Sequence, residues 1–436
     1  MADEQDEVLR FLEGGALGGP VERIATHGAI VLLAGERAFK LKRPVQFSFM
    51  DFSTLERRER TLRTELELNR RTAPMLYRRV LPVTREPGGG LALDGRGAPV
   101  EWLLEMRRFP AEAQLDRVAE RGGLDPPVAE ALAQEIAGFH AVAAVRRDQG
   151  GHSAMRAVVL GNARDLEELV PDILAQDAVA ALNRATLAEL ERLAGLLDAR
   201  RAAGWVRHCH GDLHLGNIVL LDGVPVLFDA LEFDEALACT DTLYDLAFLV
   251  MDLDERGLRP QAWTVLQAYV ERTGVEPGLA LLPLFLSVRA AVRAKVAGLR
   301  ARTLAAAVRL EGIAMAHAYL AYAAAALAPP PPRLLAVGGR SGTGKSSVAR
   351  ALAPGLGAAP GAVLLRSDVV RKTLAGVAPT TRLPSEAYTA ARAADVFAAI
   401  ARHAKVLLAA GRTVIADGVF GEPAQRQEIA AAARAA

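Results

Sequence analysis

His210-Gly211-Asp212-Leu213-His214-Leu215-Gly216-Asn217 is a polar, histidine-rich octapeptide set between two apolar runs. Asn217 follows Asp212 by five residues. Twelve positions further on, Asp229 closes the apolar run Val224-Pro225-Val226-Leu227-Phe228. An Asp, an Asn on the same short loop and a second Asp at a strand end suit phosphoryl transfer from a Mg²⁺-nucleotide. The first carboxylate accepts the proton of the attacking hydroxyl, and the other two groups hold the metal. The rest of the chain supports this site or adds to it.

Upstream, Val21 to Arg43 reads as β structure: Ala29 to Leu33, a turn over Ala34-Gly35-Glu36-Arg37, then Ala38-Phe39-Lys40-Leu41-Lys42. Alternation places the Lys40 and Lys42 ammonium groups on one face. A solvated edge strand is the common use of such a pair. Arginine greatly outnumbers lysine here, however, and a lysine on the third strand of a small sheet can contact nucleotide phosphates. Lys40 takes that role. Ser53-Thr54-Leu55-Glu56 has capping-box spacing and opens a charged helix to about Arg71, stopped by Pro74. Glu65 and Glu67 are candidates to pair with the lysine; surface pairing with neighbouring arginines is the competing use. Strands near Val80 to Val83, Leu91 to Leu93 and Val100 to Met106 complete a small antiparallel sheet with one helix, an N-lobe over about residues 21–106. An adenine ring would sit at its exit, Glu101 to Met106. The first 20 residues, acidic and then glycine-rich, predict a short helix and a loose connection.

Residues 107–328 are mainly helical and form the expected C-lobe, which includes the octapeptide. His140 reads as a packed or capping histidine, and the arginines between Arg289 and Arg309 as a solvated helix face. Pro329 to Pro332 is the clearest linker, an extended run spacing two domains by roughly 12 Å.

The pattern then turns α/β over residues 333–436. The apolar strand Leu334 to Val337 feeds Gly339-Arg340-Ser341-Gly342-Thr343-Gly344-Lys345-Ser346, followed by a helix from Ser347. This is a phosphate-binding loop in strand–loop–helix context. Gly339, Gly342 and Gly344, with Thr343 and Ser347, bring backbone N–H groups to the phosphates at a helix N-terminus. Lys345 reaches the terminal phosphates and Ser346 a Mg²⁺ ion. Asp368 and Asp417 each end an apolar strand, where open α/β sheets bind ligands. Asp368 is placed to orient or deprotonate a substrate hydroxyl and Asp417 to hold the Mg²⁺ shell; helix capping is the competing use of each. Only three strands follow the linker, against about five or six in a usual sheet. This parallel sheet is therefore expected to be incomplete at its C-terminal side.

At 436 residues, with 51% hydrophobic and 24% charged residues, the chain is globular and long enough for several compact units. A net charge of +1 carries no nucleic-acid signature. Cys209 and Cys239 show no metal-ligand spacing, the first residues lack a signal peptide's basic start, and no apolar run spans a bilayer. A cytoplasmic protein with neither nucleic-acid nor membrane partners is expected.

On these residues the chain resembles an uncharacterised bacterial bifunctional group. The two-domain order, with Phe39-Lys40-Leu41-Lys42-Arg43-Pro44 near the start, carries that likeness, and the N-terminal part resembles the aminoglycoside-phosphotransferase-like, kinase-fold family at His210 to Asn217, Phe228-Asp229 and Tyr244-Asp245-Leu246-Ala247. The C-terminal part resembles AAA-family P-loop kinases at 338–346, at Arg366 to Lys372 and at Val414 to Asp417. The likeness implies an α+β two-lobed kinase domain over 1–328 and an α/β P-loop domain over 333–436. It implies ATP and Mg²⁺ as cofactors and a small hydroxyl-bearing molecule as substrate. Asp212 would be the catalytic base, Asn217 and Asp229 metal ligands, His214 a group near the γ-phosphate, Lys40 the phosphate-positioning lysine and Glu65 its partner. The alternative is a nucleotide-binding regulator that does not turn over a small substrate.

Overall fold

The computed structural model describes residues 2–26, 28–47, 50–274, 276–303, 306–377 and 381–435. By its internal contacts the chain falls into two units, one of residues up to Leu124 together with His208–Cys239, the other of Asp125–Arg207 and Thr240 onward.

In the first unit, helix α1 (Ala2–Phe11) precedes β1 (Val21–Ala25), β2 (Ala29–Ala34) and β3 (Arg37–Lys42). The two-residue strands β4 (Gln46–Phe47) and β5 (Met50–Asp51) follow, then α2 (Leu55–Asn69), β6 (Tyr77–Arg85), β7 (Leu91–Leu93), β8 (Ala98–Arg107) and α3 (Leu115–Glu120). An antiparallel six-stranded sheet runs β1-β2-β3-β8-β6-β7. One face carries Ile30, Leu32, Phe39, Leu41, Leu81 and Leu103, packed with Val8, Leu9, Leu12 and Leu17. The N-terminal segment is thus part of the core, not a loose connection. Its apolar residues fall on one helical face, and Gly15 and Gly18 turn the chain at positive φ. On the other face lies α2, whose N-cap is Thr54 accepting from the Arg57 N–H. Leu62 and Leu66 of α2 share a second core with Leu104, Tyr77, Val219 and Val226.

Val219 and Val226 belong to the antiparallel hairpin β10 (Ile218–Leu221) and β11 (Val224–Leu227), preceded by β9 (Val206–His208). The segment His208–Cys239, read from sequence as C-lobe, therefore keeps its contacts with the sheet unit, as does 107–124. The short helix α8 (Glu235–Ala238) and strand β12 (Cys239–Asp241) end it.

The second unit contains α4 (Pro126–Val142), α5 (Gly151–Glu167), α6 (Gln176–Arg192), α7 (Ala194–Ala202), α9 (Thr242–Glu255), α10 (Arg259–Thr273), α11 (Leu282–Thr303) and α12 (Ala306–Ala326). Every residue of α9 from Thr242 to Leu253 is buried. Its Asp245 accepts from His140 at 3.0 Å, and Tyr269 lies 2.9 Å from the other ring nitrogen, so His140 is a packed, fully partnered histidine. Arg289 departs from the solvated face expected of its segment: it is buried and stacks over Tyr244 and Phe248.

The same unit holds β13 (Leu334–Gly338), α13 (Lys345–Leu352), β14 (Val363–Arg366), α14 (Ser367–Leu374), α15 (Ala390–Ala409), β15 (Val414–Gly418) and α16 (Pro423–Arg434). Its parallel sheet has the order β13-β15-β14, the three strands expected from sequence. The prolines do not hold this module off the helices. Trp263 of α10 lies in the module's core with Ala349, Ala353, Ala362, Leu364 and Ile415. Its Nε1 donates to Ala362 O at 2.7 Å. One turn on, the Gln267 amide donates to Leu364 O at 2.8 Å and accepts from Leu364 N at 3.0 Å, pairing the edge of β14 as a neighbouring strand would. Arg259 donates to Pro354 O and Gly357 O. Among the described residues no helix is long and apolar enough to cross a membrane.

Candidate functional site

Two groups of sequence-predicted residues meet in the first unit. Lys40, on β3, lies 2.7 Å from Glu65 Oε1 and 2.6 Å from Asp229 Oδ1, joining positions 189 residues apart. Helical phase decides between the two glutamates. Leu62, Glu65 and Asn69 form the buried face of α2, while Glu67 is exposed. Burial pushes the Lys40 ammonium down, but Asp229, Glu65 and Glu232 outweigh it, and Lys40 titrates well above the ordinary lysine range. At Asp229 burial pushes up, Lys40 overrides it, and the carboxyl lies below its usual range.

Asp229 is held by its backbone. It adopts φ +60°, a left-handed conformation uncommon outside glycine, of the kind that persists only where surroundings fix it. Those surroundings come largely from α2 and the strand after it. Tyr77 Oη accepts from Asp229 N, Asn69 Oδ1 accepts from Ala230 N, and Thr72 Oγ1 donates to Leu227 O.

The octapeptide loop is tied to the same strand end. His210 donates from Nε2 to Phe228 O at 2.9 Å, and Leu231 N donates to His210 O. Gly211 sits at φ +84°, where a Cβ would meet Leu231 Cβ at 2.9 Å, so this close approach requires glycine. Asn217 donates from Nδ2 to Asp212 O and Oδ2, both at 2.9 Å, which leaves its Oδ1 as the atom that could ligate a metal. His214 accepts from Gly216 N at Nδ1, which puts the proton of the neutral ring on Nε2, 3.5 Å from Asp212 Oδ2. The Asp212 and Asp229 side chains are about two-fifths exposed, at 41% and 39%, and stay reachable. The Asp229 carboxylate and the Asn217 amide oxygen are hard donors that fit Mg²⁺.

Sequence reasoning missed Glu232 and undervalued Lys42. Lys42 Nζ is 2.6 Å from Glu65 Oε2 and 2.6 Å from Glu232 Oε1. Burial raises the Glu232 carboxyl above its ordinary range, against the pull of Lys42. The alternation of Lys40 and Lys42 was the one local signal for this second pair.

In the second unit the P-loop residues lie between β13 and the first turn of α13. Gly342 and Gly344 both have φ +80°, and a Cβ on Gly339 would press Thr343 Oγ1 at 3.0 Å. Lys345 lies on the Arg340 carbonyl at 3.3 Å, and Ser347 N donates to Gly344 O. Asp417 lies in register with Val337 of β13 and Arg366 of β14. Ser346 Oγ donates to Asp417 Oδ2 at 2.5 Å, while the buried Asp417 Oδ1 has no hydrogen-bond partner among the described residues. A hydroxyl beside an orphaned carboxylate oxygen fits a Mg²⁺ shell. Asp368 stands in the first turn of α14, paired with Lys372 at 2.9 Å.

Residues 54–282 match the model of a phosphotransferase enzyme family, and residues 334–436 that of an AAA domain. Uncharacterised proteins of Mycobacterium bovis and Mycobacterium tuberculosis are 33% identical over 411 residues, covering 92% of this chain and 78% of theirs. Among solved structures, a choline/ethanolamine kinase family protein from Mesorhizobium loti aligns with a TM-score of 0.43 at 15% identity, over 74% of this chain and 99% of that one. An aminoglycoside phosphotransferase from Streptomyces rimosus aligns at 0.37 and 20%, over 65% and 98%.

Proposed function

The chain belongs to the phosphotransferase enzyme family and carries an AAA domain, and from that premise we propose that it transfers the γ-phosphoryl group of ATP to the hydroxyl of a small molecule. The observation that carries the reading is the convergence on Asp229 of a strand lysine, its helix glutamate and the laced Asp212–Asn217 loop. Bound Mg²⁺–ATP supplies the phosphoryl group and neutralises its charge. Asp212 accepts the proton of the acceptor hydroxyl as its oxygen bonds to phosphorus and the bond to the ADP oxygen breaks. His214 Nε2–H, facing Asp212, steadies the carboxylate. Asn217 Oδ1 and Asp229 would hold the metal, and the Lys40 ammonium, released from Asp229, would neutralise phosphate charge. In the second unit, Gly339 to Ser347 would hold a further nucleotide, with Ser346 and Asp417 as ligands to its metal and Asp368 facing a second acceptor.

The test is ATP turnover by the full chain with a panel of sugars, amino alcohols and nucleosides. Asp212→Ala should lower acceptor-stimulated turnover by about 10²–10⁴-fold, the usual worth of a general base. Lys345→Ala should leave that stimulation in place. Absence of stimulation by every hydroxyl compound, or its survival in Asp212→Ala with loss in Lys345→Ala, would overturn the assignment to Asp212.

A further inference from the structure

Lys42 and Glu232 lie outside every role assigned above, yet they are more deeply buried than the pair that performs those roles. The Lys40 and Asp229 side chains are 12% and 39% exposed; those of Lys42 and Glu232 are 3% and 9%, and Glu65 is fully buried. The two lysines divide Glu65, one on each oxygen, and each then takes one further carboxylate, at positions 229 and 232. Two ammonium groups thus face three carboxylates, with Asp229 the most open member.

Lys42 is itself fixed. Its carbonyl accepts from Gln5 Nε2, which also donates to Glu101 Oε2, and Glu101 is paired with Arg58 of α2. Its ammonium lies 5.5 Å from the Phe52 ring centre. Among the described residues the Lys40 ammonium is held by two carboxylates, those of Glu65 and Asp229. When Lys40 turns to a phosphate, its bridge to Asp229 opens. Without a second tie, the left-handed Asp229 turn would then lose the charged link to β3 that Lys40 provides.

We propose that Lys42 and Glu232 are positioning residues: a permanent buried bridge that keeps the 229–232 turn registered on β3 while Lys40 exchanges between Asp229 and the nucleotide. This rests on the phosphotransferase reading. Neither residue touches the reacting atoms. They act on metal binding through Asp229, so their loss weakens Mg²⁺ affinity, raises the Mg²⁺ concentration that nucleotide binding needs, and leaves acceptor recognition alone.

The experiment uses the full chain carrying Lys345→Ala, which silences the P-loop, and titrates Mg²⁺ at fixed fluorescent ATP analogue. Glu232→Ala and Lys42→Met should raise the Mg²⁺ concentration for half-binding by about 10–100-fold, as groups orienting a metal ligand do. Glu232→Gln keeps an acceptor for Lys42 and should recover most of that loss. Acceptor KM should stay within twofold, on the order of what an untouched site shows. A structural role alone would lower the melting temperature without moving the Mg²⁺ midpoint of the folded fraction, and melts on the same samples separate the two. If Lys42→Met does not fold, the Glu232→Ala and Glu232→Gln pair decides. An unchanged Mg²⁺ midpoint in folded Glu232→Ala, with acceptor-stimulated transfer intact, overturns the bridge alone. Failure of the Lys345→Ala parent to bind the analogue overturns the phosphotransferase reading and the bridge with it.

Discussion

Replacing Trp263 tests how far the P-loop module depends on helix α10. The side chain is 7% exposed and sits among five apolar residues of that module. A tryptophan buries about 150–250 Å², worth about 4–6 kcal/mol at roughly 25 cal/mol per Å². Tryptophan-to-alanine changes in cores cost about 3–5 kcal/mol. Removing the indole N–H also strands the Ala362 carbonyl, itself at a residue only 1% exposed, for about 1 kcal/mol more. Trp263→Ala should therefore cost about 4–6 kcal/mol, and Trp263→Phe, which keeps most of the packing but not the donor, about 1–2 kcal/mol. The assay is urea unfolding of the full chain, with hydrogen exchange read on the peptide covering 362–366. Exchange there should rise in Trp263→Ala before the rest of the chain opens. A cost below about 1 kcal/mol, or unchanged protection of that peptide, would refute the shared core.

Two further outcomes follow from charge. Lys40 titrates above its unfolded value, so its contribution is complete below about pH 10.4 and is lost as pH rises through the still higher folded value. Asp229 titrates below its unfolded value, so its contribution is complete above about pH 3.9 and is lost as pH falls through the lower folded value. The difference in unfolding free energy between the parent and Lys40→Met should then fall once pH rises above about 10.4; a difference that stays constant there would contradict the bridge. Arg412 is fully buried, donates to the carbonyls of Ala358, Ala359 and Gly361, and is pushed down to about 10 by burial and by Arg259. Arg412→Lys cannot reproduce that fork and should cost about 2–4 kcal/mol in urea melts. Its effect should not add to that of Trp263→Ala, because Gly361 lies against the indole.

Local spacing made much of this molecule legible. The octapeptide, the Lys40–Lys42 alternation and the glycine pattern of the P-loop each place their chemistry within a few residues, and the structure keeps those local arrangements. Glu65 was narrowed to two candidates, and the phase of α2 selects it. What stayed hidden depends on distant partners. Glu232 acquires meaning only from Lys42, 190 residues away. Trp263 and Gln267 read as ordinary positions of a helix until their partners 99 and 97 residues later are known. Arg289 looked solvated because an arginine among alanines carries no sign of the two rings beneath it. The N-terminal glycines drew attention from Val8, Leu9 and Leu12, whose partners are strands not yet made.

The two faces of α10 set where this chain can be divided. Tyr269 meets His140 on the helical side, and Trp263 and Gln267 meet the parallel sheet on the other. A gene can be joined or cut at the four prolines, but the folded seam runs along a helix some sixty residues earlier. A fragment ending at the prolines would carry an indole and an amide facing water, and the released module would present the bare edge of β14 to any passing strand. Exchange of the P-loop module for another would have to preserve that helix edge, so the pairing is inherited as one piece.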